Sequence, residues 1–64
     1  MNKEKEDKKM WEYLTSNYNI WKKVNETEEL FLMRLENDFI NDKKLSYYKS
    51  RKLNQIYNKY ISEE

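Results

Sequence analysis

Six cations, Lys43, Lys44, Lys49, Arg51, Lys52 and Lys59, fall in a stretch of chain that contains no acid, and Tyr47 and Tyr48 sit among them. Cations at this density neutralise phosphates, and exposed tyrosine faces stack on bases. Lys43, Lys44, Tyr47, Tyr48, Lys49, Arg51 and Lys52 therefore form a candidate nucleic-acid strip. The competing reading is structural: the same cations can pair across a helical hairpin with the acidic segment before them. The chain's net charge of only +1 favours the structural reading, because dedicated nucleic-acid binders are far more basic.

That acidic segment, residues 26–42, carries six acids against the single cation Arg34. Paired carboxylates can act as acid and base across a pocket, but a domain this small has little room for one. No Asp-x-Asp-x-Asp-Gly loop is present, so a calcium-binding helix-loop-helix is excluded. The chain has neither histidine nor cysteine, which removes the commonest general base, the commonest metal ligand and the thiolate nucleophile. No nucleophile–base pair is legible. The expectation is a non-enzyme with no catalytic residue, no metal site and no cofactor; the acidic face reads as solvated.

The third group is aromatic. Ten of the 64 residues are Phe, Trp or Tyr. Large aromatics at helical spacing are usually core, but a unit of this size cannot enclose them all. Those left at the surface make a protein-binding patch, since rigid aromatics supply large contact area at low entropic cost. Met10, Trp11, Tyr18, Ile20 and Trp21 are the candidate partner-binding residues. Self-association is one form such a patch can take.

The elements that would carry these groups read as helical. The chain has no glycine and no proline, which denies hairpin turns their favoured residues. Alanine is also absent while Asn, Lys, Tyr and Ile abound, a codon bias expected of an AT-rich genome such as that of a low-GC bacterium, its phage or its plasmid. The opening run MNKEKEDKK leads into no apolar segment, and the longest apolar run is Leu30 to Met33. A soluble, cytoplasmic protein without a membrane span is the expectation.

Three helices are expected in one small all-α domain spanning residues 1–64, with residues 1–8 frayed. The first runs from about Lys3 to Leu14, with Met10, Trp11 and Leu14 on one stripe. Thr15, Ser16, Asn17 and Asn19 interrupt it, because their side chains offer the backbone competing hydrogen bonds; Ile20, Trp21 and Val24 form a further turn. The second starts at Asn25, with Glu28 three residues on as in a capping box and Thr27 as a rival cap. Glu26, Glu28 and Glu29 suit its positive end. Phe31, Leu35 and Phe39 recur along its core face, flanked by Leu32 and Ile40, and Asn41 is the expected left-handed terminator. The third is capped by Ser46 and presents Leu53, Ile56, Tyr57 and Tyr60 on one face. The short connection at 41–45 makes helices two and three an antiparallel hairpin.

Within residues 31–60, FLMRLENDFI is followed by LS at 45–46 and LNQIYNKY at 53–60. This arrangement resembles the small helical module associated with phage UvsW-type DNA helicases; Lys49 departs from the glutamine usual there. The resemblance implies an accessory or interaction role in phage DNA metabolism. It does not imply ATP hydrolysis, since a phosphate-cradling loop needs glycines and this chain has none. The leading expectation is a phage or mobile-element protein that binds a partner protein, inhibiting or assisting a nucleic-acid machine, as an anti-defence inhibitor would. The alternative is a small nucleic-acid module contacting phosphates through its third helix.

Overall fold

The computed structural model describes the backbone of residues 3–62 and the side chains of residues 6–62. Its elements are all helical: α1 (Lys3–Ser16), α2 (Tyr18–Trp21), α3 (Glu26–Ile40) and α4 (Tyr47–Ile61). The expected three helices are present, and the further turn at Ile20 and Trp21 is the single-turn helix α2. No described helix is long and apolar enough to cross a membrane.

Local chemistry sets each boundary. At the end of α1, Thr15 Oγ1 donates back to the Trp11 carbonyl at 2.9 Å. The Asn17 side chain then accepts from the N–H groups of Asn19 and Ile20, which caps α2 and turns the chain. At the start of α3, Asn25 Oδ1 accepts from Glu28 N at 2.8 Å and the Glu28 carboxylate accepts from Asn25 N at 3.2 Å. Two orphan donors are thereby satisfied reciprocally. Ser46 caps α4 through Lys49 N.

The end of α3 corrects one expectation. Asn41 has φ −91°, and Asp42 takes the left-handed conformation at φ 54°. Lys43 N donates to the Asp38 carbonyl and Asp42 N to the Phe39 carbonyl, which completes a Schellman closure one residue later than expected.

Packing places α1 between the other two long helices. Residues 7 and 13 of α1 meet residues 50 and 57 of α4, through the Asp7–Ser50 hydrogen bond and the Tyr13–Tyr57 edge contact, so these helices run in the same direction. In α3 and α4, Glu28 meets Lys59 and Asp38 meets Lys49, so that pair is antiparallel, as expected. Its members are spanned by long side chains, and the more extensive backbone packing lies between α1 and α4.

Leu14, Ile20, Leu32, Leu35 and Leu53 are fully buried, and Leu45, Ile56 and Tyr60 complete the core. The buried face of α3 is centred on Leu32 and Leu35, with Phe31 and Phe39 on its flanks. Ile40, expected to flank the core, is 72% exposed. Residues 3–8, expected to fray, belong to α1, and Asp7 among them is buried.

Candidate functional site

Two grooves flank α3, and they differ in character. The first lies where α1 and α2 meet α3. Trp11, Thr15, Trp21, Leu32, Met33 and Glu36 enclose about 220 Å³ there. The stripe of α1 brings Trp11 to this place, the Asn17 turn brings Trp21, and the outer flank of α3 supplies Met33 and Glu36.

The two indoles are committed to different degrees. Trp11 Nε1 donates to the Leu32 carbonyl at 2.7 Å. Its ring lies 5.2 Å from that of Phe39, tilted by 53°. Trp11 lines the groove but spends its polar tip on the fold. Trp21 is partly buried against the core. Met33 is 53% exposed and lines the same groove as both rings. An exposed thioether in an aromatic-lined groove is an adaptable, low-specificity contact surface.

The other residues expected at a partner interface divide. Met10 is partly buried against the core. Ile20 is only 2% exposed, a core residue with no surface to offer a partner, which removes it from the candidate site. Tyr18 is 75% exposed, with Lys22 Nζ 5.8 Å from its ring centre. Met33 was missed from sequence because it stands off the apolar stripe of its own helix. Its value comes from α1 and α2 arriving beside it.

The basic strip also divides. Lys49 Nζ pairs with Asp38 at 3.0 Å and Lys59 Nζ with Glu28 at 3.2 Å. Lys52 Nζ sits 5.0 Å from the centre of the Phe31 ring. These three cations serve the α3–α4 junction. Lys43, Lys44 and Arg51 are exposed and have no ion pair among the described residues. Tyr47 and Tyr48 are 71% and 69% exposed.

Glu28 is the electrostatic hub of the opposite end. Its carboxylate takes the capping hydrogen bond from Asn25, a salt bridge from Lys59 and the Tyr60 hydroxyl. Burial pushes this carboxyl up, but the hydrogen bonds from Tyr60, Asn25 and Lys59 together outweigh it and hold the pKa below the ordinary glutamate value. Burial, and then the bond to Glu28, push the Tyr60 phenol up. A hydrogen bond and charge attraction from Glu28 raise Lys59. The arrangement is satisfied internally and clamps α4 to the start of α3. Among the described residues, no three carboxylates converge as metal ligands would.

No protein-family model matches the chain, no curated protein matches it, and no solved structure matches it.

Proposed function

We propose that this chain is a non-catalytic interaction protein that binds a partner protein through the Trp11–Trp21–Met33 groove. The observation that carries the proposal is Met33, half exposed on α3 and lining one groove with both indoles. Apolar and aromatic groups at the centre of a patch, with charge at its rim, are the usual anatomy of a recognition surface. Glu36 supplies the rim here, and Ile40 extends the exposed apolar surface along α3.

The resemblance of residues 31–60 to the phage helical module suggests the partner's class. We take it to be a cytoplasmic nucleic-acid enzyme of a phage, mobile element or host, which the protein assists or inhibits.

The test is affinity capture from the native host with wild type and Met33→Lys. Lysine at 33 lies four residues after Glu29, a pairing that favours the helix, so the fold is not penalised. The proposal expects a partner captured by wild type and lost with Met33→Lys. Capture that is indifferent to residue 33 would overturn it.

A second reading is favoured by Tyr48, which is 69% exposed and lines a surface hollow with Arg51, and by the exposed Lys43 and Lys44 shortly before it in the chain. It is a nucleic-acid module of modest affinity. Three phosphate contacts to a single strand give a log–log salt slope of roughly −2. A salt-independent interaction, or one unchanged when those three cations become glutamine, would eliminate this reading.

A further inference from the structure

The second groove lies on the other flank of α3, between it and α4. It encloses about 480 Å³. Leu30, Phe31 and Tyr48 give it an apolar lining, while Arg34, Lys49 and Lys52 bring three cations to it, and no acid lines it. Leu30 is half exposed. The groove exists because α3 and α4 are joined by lysine-length bridges, Lys49 to Asp38 and Lys59 to Glu28, rather than by close backbone contact.

We propose that this groove docks an acidic peptide segment of a partner protein, with an apolar side chain over Leu30 and Phe31 and carboxylates facing Arg34, Lys49 and Lys52. Charge complementarity selects the occupant. A lining with three cations and no acid repels basic peptides and attracts carboxylates. The apolar floor selects a ligand that also carries a hydrophobic anchor. A phosphate backbone has none and would leave Leu30 and Phe31 uncovered. The volume suits a few anchored side chains rather than a track along a strand.

This site does not depend on the tryptophan groove. Glu36 rims that groove and cations rim this one, so the two flanks of α3 would select ligands of different charge. Either site can be lost without the other.

The experiment uses the full chain and a fluorescein-labelled amphipathic helical peptide of leucine and glutamate, read by anisotropy and by amide shifts in isotope-labelled protein. Three competitors are added: the same peptide with glutamine for glutamate, the same with lysine for glutamate, and a short single-stranded oligonucleotide. The acidic peptide is expected to bind saturably, with shifts confined to residues 27–35 and 46–52. Arg34→Glu with Lys52→Glu should weaken it by about tenfold or more. Leu30→Ser, at a half-exposed position, should weaken it with the far-ultraviolet spectrum unchanged. Equal binding of the glutamine or lysine peptide would mean apolar adhesion alone and overturn the proposal. Displacement by the oligonucleotide at low stoichiometry would reassign the groove to phosphates, and an absence of binding would also overturn it.

Discussion

The indole N–H of Trp11 hydrogen-bonds the main-chain carbonyl of Leu32 at 2.7 Å, joining α1 to α3 across the core. This single relationship makes Trp11 part of the scaffold. A tryptophan whose donor is consumed by the backbone cannot offer it to a partner, and its ring is held in one orientation against Phe39. Under the proposed function, recognition would fall to groups that this anchoring leaves exposed, Met33 among them.

Trp11→Phe should therefore cost stability with little effect on recognition. A phenyl ring remains, but the hydrogen bond is lost, at about 0.5–1.5 kcal/mol, and the missing pyrrole ring adds a cavity cost. Trp11→Ala should cost about 3–5 kcal/mol and unfold much of a domain this small. Chemical denaturation of the two variants checks both values.

Glu28 sets the pH dependence. Its folded-state pKa lies below its unfolded one, so its contribution to stability is complete above the unfolded value and is lost as pH falls through the folded value. Tyr60 has the opposite shift, so its contribution is complete below the unfolded phenol value and is lost as pH rises through the folded one. Thermal midpoints should fall at both extremes. Glu28→Gln should flatten the acid limb, and Tyr60→Phe the alkaline limb. An acid limb that Glu28→Gln leaves unaltered would assign the dependence to other carboxylates.

Asp42 holds a left-handed conformation in a chain without a single glycine. An L-residue with a side chain pays about 1–2 kcal/mol there. Asp42 also places negative charge at the end of α3, where the helix dipole disfavours it. Asp42→Gly should raise stability by about 0.5–1 kcal/mol after the larger entropy of the unfolded glycine chain is counted. Asp42→Val should lower it. Paired urea titrations give the sign directly.

Asp7 is buried and accepts from Ser50 Oγ at 3.0 Å, linking the N-terminal halves of α1 and α4. Ser50→Ala would strip that donor from a buried carboxylate, at about 1–3 kcal/mol. Hydrogen exchange should show the loss first in the opening turns of both helices. Unchanged protection there would contradict the contact's structural role.

The parts of this fold that were legible in sequence are those set by neighbours along the chain. Asn25 with Glu28 and Ser46 mark helix starts through bonds spanning three residues, and the structure contains both. The short connection at 41–45 gave the antiparallel sense of α3 and α4, and the charge contrast between residues 26–42 and 43–61 gave the pairing across them, seen in Lys49–Asp38 and Lys59–Glu28. The turn at Asn41 and Asp42 was misplaced by one residue because both side chains tolerate the left-handed region.

Asp7 could not be read, because burial of a carboxylate in a mixed-charge run depends on a serine more than forty positions away. Met33 was invisible for the same reason: α1 and α2 arrive beside it only in three dimensions. Ile20 and Ile40 exchanged expectation, the first buried and the second exposed. Isoleucine identity alone does not say which side of the core a helix end will face.

The most direct test of the central claim is the equilibrium affinity of the host-captured partner for three forms of the protein. These are wild type, Met33→Lys, and the triple variant Lys43→Gln/Lys44→Gln/Arg51→Gln, each with its thermal midpoint measured alongside. Met33→Lys is expected to lose about tenfold or more in affinity at an unchanged midpoint, while the triple variant binds as wild type does. Loss of binding in the triple variant with Met33→Lys unaffected would contradict this, and would move recognition from the tryptophan groove to the basic strip that begins at Lys43.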